Sequence, residues 1–200
     1  MDFANLFFLL LLLLSLTPFP HRRHHPLTLA GADTTLIETT CKTTKHYDLC
    51  LSSLKSNTTS STADVKGLAL IMIGIGTANA TSTSSYLTSQ LPAAATTAAK
   101  NGSRNAAVLK RAVLKECADK YTYAGGALQG AVDDVGMEEY DYASMHVMAA
   151  ADYPSACHNA FRRYSGLLVY PPELGRREDG LRRICDVVLG IIDLLIVGNY

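Results

Sequence analysis

Neither sign of charge prevails in this chain: lysine plus arginine and aspartate plus glutamate number 18 each. That balance gives no reason to expect nucleic-acid binding, which normally shows as a strongly basic face. The motifs that announce common chemistries are missing as well. There is no Gly-x-Ser-x-Gly, no His-Glu-x-x-His and no glycine-rich phosphate loop. Gly74 and Gly76 lack the third glycine of a dinucleotide turn and read as small residues at a helix contact. Five cysteines are present, but none is spaced as C-x-x-C or C-x-C, so no metal ligand set is expected. His46, His146 and His158 follow the leader described next, and no local pattern ties one to a serine or cysteine nucleophile. No cofactor is implied, and a binding protein is favoured over an enzyme.

The longest apolar run near the start, Leu6 to Leu16, spans eleven residues. That is the length of a signal-peptide core and well short of the roughly 20 residues that cross a bilayer. Secretion without a stable membrane anchor follows, although Met1 to Asn5 carries no lysine or arginine. Ala30-Gly31-Ala32 fits the small-x-small cleavage pattern, which divides the chain into a signal peptide over 1–32 and a single domain over 33–200. Cleavage there removes Arg22, Arg23 and Asp2, leaving acids one ahead of bases.

What is present is dominated by helical periodicity. Val113, Cys117, Tyr121, Ala124, Leu128, Val132 and Val135 recur at spacings of three and four, which places them on one helix face. Beyond a pivot at Val135 to Met137, the residues Tyr142, Met145, Ala149, Tyr153, Cys157, Phe161 and Tyr164 repeat the pattern. Cys117 precedes Gly136 by 19 residues and Cys157 follows it by 21, so an antiparallel hairpin brings the two sulfurs nearly opposite each other. A Cys117–Cys157 disulfide is therefore expected from counting alone. Cys41 and Cys50 on one continuous helix would lie about 13 Å apart, too far to bridge; if they pair, the segment doubles back as a small hairpin. With five cysteines one stays unpaired, and Cys185, inside the apolar stripe Leu181, Ile184, Val188, Ile191 and Leu195, is the candidate for a buried free thiol.

Between these landmarks the reading is coarser. Ser52 to Thr62 reads as a loop, with Thr62-Ala63-Asp64 placed to cap a helix whose stripe is Val65, Leu68, Met72 and Ile75. Gly67 to Gly76 is apolar almost all round and fits a buried strand as well. Thr77 to Ser103, rich in serine, threonine and alanine, reads as loop with one short helix opened by Pro92 and closed by Asn101-Gly102. Asn57, Asn79 and Asn101 each begin an N-x-S/T sequon and are candidate glycan sites. Asp133, Asp134, Glu138, Glu139 and Asp141 crowd the pivot as a solvated acidic turn, while the arginine pairs at 162–163, 176–177 and 182–183 read as solvated helix faces. Asp152-Tyr153-Pro154 should kink the second arm or restart it, and the apolar run from Val187 to Val197 should close a bundle.

Several stretches resemble the plant invertase and pectin methylesterase inhibitor family, in particular its invertase-inhibitor branch, which includes pollen-allergen-like members. They are Ile37 with Thr40-Cys41-Lys42, Tyr47-Asp48 with Cys50, Ala63-Asp64 with Lys66-Gly67-Leu68-Ala69, Leu114 to Cys117 with Tyr121, Asp141 to Ser144, and Ser155 to Cys157 with Phe161. The resemblance covers roughly residues 37–197. It implies an all-α fold: a four-helix up-and-down bundle with a short N-terminal helical hairpin, stapled by bridges from first to second and third to fourth cysteine. It further implies a non-catalytic inhibitor of acid invertase, or alternatively of pectin methylesterase, in the apoplast and cell wall or in the vacuole. Acid invertase is similar to a retaining glycosidase, whose paired carboxylates lie in a cleft that a helix junction could plug. Some members use a Pro-Lys-Phe tripeptide there, and the matching positions are Tyr140, Asp141 and Tyr142. An aromatic is kept at the last position. The lysine is replaced by an acid, which sets like charge against the carboxylates of the cleft.

Overall fold

A computed structural model describes residues 29–100 and 104–198, with side chains over 34–92 and 105–198. Every regular element among the described residues is helical: α1 (Leu29–Lys42), α2 (Tyr47–Ser56), a 3-10 turn (Thr58–Thr62), α3 (Val65–Lys100), α4 (Arg104–Gly136), α5 (Tyr140–Arg162) and α6 (Pro172–Gly198). The helices α3 to α6 form an up-and-down bundle in which α3 packs on α4 and α6, and α5 packs on α4 and α6. The hairpin of α1 and α2 leans on α6 and on the start of α3. The leader core lies outside the described residues, and the expected start at Asp33 falls inside α1.

Both disulfides form between the expected partners. Cys41 and Cys50 have their Cα atoms 5.5 Å apart because α1 and α2 fold back on each other. Cys117 and Cys157 join α4 to α5 with Cα atoms 4.6 Å apart. Cys185 is free and fully buried. Burial, with Asp186 beside it, pushes its thiol up to about 12. The hairpin sits close to α6 because Gly190 has no side chain: a Cβ there would meet the Cα of Thr44 at 3.0 Å. Lys45 and His46 in the hairpin turn reach Asp186 of α6 at 3.1 and 3.0 Å.

The helix α3 corrects the reading of Thr77 to Ser103. Asp64 caps its start by accepting from the Gly67 amide at 2.7 Å, as expected. From there it runs unbroken to Lys100, through both Gly67 to Gly76 and Pro92, with no strand and no long loop. Several of the serine and threonine hydroxyls that suggested a loop bond back within the helix. Thr77 donates to the Ile73 carbonyl, Thr83 to Asn79 and Thr88 to Ser84 at 2.9 to 3.0 Å. Ser84 also reaches across to Ala118 and Thr122 of α4 at 3.0 and 2.9 Å, so the small residues let the two helices approach closely. Of the two paired glycines only Gly76 is a helix contact, against Leu128 and Ile184; Gly74 faces open space.

The helix α5 corrects a second reading. Of the kink or restart expected at Asp152 to Pro154, the restart does not occur, because the helix continues through Pro154, which is buried. Its buried face is Tyr140, Ala143, Val147, Ala150, Pro154, Cys157 and Phe161. Tyr142 and Met145, placed by spacing on one face with Cys157 and Phe161, are exposed. A repeat of four advances about 40° per step around a helix, so a stripe of successive fours winds from the outer to the inner face along α5. Alternating threes and fours stay on one side. On α4, by contrast, the expected face is buried from Val113 to Val135, with Val132 half-buried.

Candidate functional site

The turn between α4 and α5 is built from backbone geometry that the sequence supplies locally. The amides of Met137 and Glu139 donate to the carbonyls of Asp133 and Asp134 at 3.0 and 2.9 Å, closing the end of α4. Glu138 takes the left-handed conformation at φ 65°, which reverses the chain. Lys66 of α3 braces the turn, donating to the Gly136 carbonyl and to a Glu138 carboxylate oxygen, both at 3.2 Å. Asp134 is held by Nδ1 of His146 at 2.6 Å. That contact needs Gly130, since a Cβ there would lie 2.9 Å from the imidazole.

Three of the predicted site residues begin α5 and are not displayed together. Tyr140 is 8% exposed and belongs to the core. Asp141 points outward in the first turn, where its negative charge complements the helix N-terminus. Tyr142 is 60% exposed. The reversal at Glu138 sets the phase of α5, and the three/four alternation from Tyr140 turns that side chain inward. Spacing alone missed Met137, Met145 and Met148, which are 65%, 60% and 49% exposed around the same tip. The signal that could have found them is compositional: of the four methionines among the described residues Met72 is in the core, and the other three lie within twelve positions.

The histidines do structural work. His46 bonds to Asp186, His146 to Asp134 and His158 to Glu178, and each pair ties two elements together. Glu178 also accepts from the Tyr170 hydroxyl at 2.8 Å, while His158 stacks on that ring with centroids 4.3 Å apart. Burial and the neighbouring Glu178 both push the Tyr170 hydroxyl far up, and burial does the same to Tyr121. The arginine pairs are likewise engaged: Arg163 with Glu116, Arg176 and Arg177 with Glu173, and Arg182 with Asp179. Among the described residues no group of three or more His, Cys, Asp or Glu side chains could hold a metal ion. A shallow recess of about 410 Å³ beside the N-terminal hairpin, lined by Ile37, Leu54, Lys55, Asn57 and Ser60 among others, contains no nucleophile paired with a base.

The three sequons are placed differently. Asn57 caps the 3-10 turn, its side-chain oxygen accepting from the backbone and hydroxyl of Thr59 at 2.9 and 2.7 Å. Asn79 sits in the middle of α3, half-buried, with its amide nitrogen 3.6 Å from where a Cβ on Gly180 would stand. Asn101 lies outside the described residues.

The fold has counterparts in known proteins. A protein named cell wall/vacuolar inhibitor of fructosidase 2, from Arabidopsis thaliana, is 52% identical over 163 residues, covering 82% of this chain and 84% of that protein. Pectinesterase inhibitor 28 from Oryza sativa subsp. japonica is 38% identical, also over 163 residues, covering 80% and 69%. A crystal structure of a mutant form of a pectin methylesterase inhibitor from Arabidopsis superposes with a TM-score of 0.58 at 22% identity, over 79% of this chain and 95% of that one, a likeness of fold. The model of the plant invertase/pectin methylesterase inhibitor family matches residues 35–191, and with those relatives it places this chain in that family.

Proposed function

We propose that the protein is a secreted, non-catalytic inhibitor of acid invertase that binds the enzyme at its active-site cleft in the cell wall or vacuole. One observation carries this reading: 52% identity, across 84% of its length, to a protein named as a cell wall/vacuolar inhibitor of fructosidase. The bundle supports it, because long disulfide-linked helices hold a firm, protruding turn that can enter a cleft without ordering on contact. At that turn Asp141 and Tyr142 are available to a partner, while Tyr140 supports them from the core.

A second reading, inhibition of pectin methylesterase, draws on the 38% identical rice relative named as a pectinesterase inhibitor. Titration of the oxidised mature protein against an acid invertase and a pectin methylesterase separates the two. Stoichiometric loss of sucrose hydrolysis with the methylesterase untouched is the expected result. The reverse pattern would replace the first reading with the second.

A further inference from the structure

The outward face of α5 carries more than the two residues at its start. Asp141, Met145, Met148 and Asp152 follow one another at spacings of four, three and four, so they form a straight line along the helix surface. All four are exposed. Tyr142 lies one turn below Met145, and Met137 stands in the adjoining turn. Four large apolar side chains thus share one end of the bundle, with no element of the fold over them. Met is flexible and polarizable, and clustered on a surface it suits a binding face that adapts to its partner.

Several carboxylates around this patch are unpaired. Asp133, Glu139, Asp141 and Asp152 are exposed and have no ion-pair partner among the described residues. Of the basic groups near the patch, Lys66 pairs with Glu138, the His146 imidazole bonds to Asp134, and Lys120 lies 5.7 Å over the Tyr123 ring. At the other end of the bundle, roughly 33 Å away along α5, Leu167 and Val169 are also exposed but lie among arginines.

We infer that the partner docks on this methionine and tyrosine face, which fits an apolar recess in the enzyme edged by lysine or arginine. The inference rests on the inhibitor reading above and names the face and orientation by which it would work. An apolar recess takes Tyr142, Met145 and Met148, and the flanking carboxylates meet a basic rim. In that orientation they lie away from the carboxylates of a glycosidase cleft. The alternative, Asp141 pointed at those carboxylates as a lysine would be, sets like charges together.

The test compares the wild-type protein with Met145→Lys/Met148→Lys, with Asp141→Lys, and with Leu167→Ser/Val169→Ser at the far end. Each is first checked for helicity and intact disulfides, which substitutions at exposed positions should leave unchanged. Binding to an acid invertase is measured by calorimetry and by residual sucrose hydrolysis, at low and high salt. The double methionine variant should bind at least about 30-fold more weakly, as expected for central anchors. Asp141→Lys should weaken binding about tenfold at low salt, with a smaller difference at high salt. The far-end variant should match the wild type. Undiminished inhibition by the double methionine variant overturns the surface while leaving the inhibitor reading intact. Tighter inhibition by Asp141→Lys overturns the orientation, because it would place Asp141 over the cleft carboxylates. A wild-type protein that leaves invertase untouched overturns the inhibitor reading and this docking face with it.

Discussion

Replacing Cys117 and Cys157 together by alanine should destabilise the protein more than replacing Cys41 and Cys50. The two bridges close loops of very different length, with sequence separations of 40 and 9. The chain-entropy relation gives about 3.9 kcal/mol for the longer loop and about 2.6 kcal/mol for the shorter. The longer bridge joins α4 to α5 inside the bundle core, whereas the shorter one holds only the hairpin that leans on it. All four cysteines are fully buried, so truncation to alanine adds a small cavity of order 1 kcal/mol at either bridge. Urea unfolding of the oxidised proteins, followed by circular dichroism, should show a loss of about 4 to 5 kcal/mol for the bundle bridge and about 3 to 4 kcal/mol for the hairpin bridge. In thermal melts the bundle variant should fall by roughly 8 to 20 °C. Equal losses for the two variants, or a larger loss for the hairpin bridge, would refute the loop-length argument and the view of the hairpin as an appendage.

A matched pair of glycine substitutions probes packing. Gly74→Ala, in open space on α3, should stabilise by up to about 1 kcal/mol through helix propensity, whereas Gly190→Ala drives a Cβ into the Thr44 backbone and should destabilise by about 1 to 3 kcal/mol in urea melts. Cys185, buried and with its thiol held up to about 12, should be silent to an aromatic disulfide reagent in the native protein at pH 8 and report one thiol per chain in denaturant. Mass spectrometry of protein from a secretory host should find a glycan on Asn57 and none on Asn79, whose side chain is wedged against α6. Tyr121 and Tyr170 ionise well above the ordinary tyrosine value in the folded state, so they favour the fold fully below about pH 10 and that stability is lost as pH rises further. Tyr121→Phe/Tyr170→Phe should therefore flatten the alkaline limb of the stability curve, and an unchanged limb would refute the assignment.

Much of the frame was legible because it depends on local chemistry or on counting. The Cys117–Cys157 bridge follows from two arms of nearly equal length about one pivot, and the cap at Asp64 from its position just before an apolar stripe. The buried Cys185 follows from its place inside such a stripe. Helical spacing tells which residues share a face. It does not tell which face meets the neighbouring helices, and on α5 two interleaved stripes compete. The tertiary structure chose the one containing Ala143 and Ala150, since small residues let α5 approach its neighbours, and so left Tyr142, Met145 and Met148 outside. That choice also buried Tyr140 and divided the expected tripeptide. The helix from Thr77 onward was hidden for a related reason. Serine and threonine favour loops when their hydroxyls compete with the backbone, but here they bond back to the preceding turn and lie against α4. The sequence by itself determined the helical class, the long-range bridge and the free thiol, because periodicity and cysteine spacing are properties of the chain. Only the packed bundle decided which face of α5 remained open to a partner, because burial is settled by the neighbouring helices.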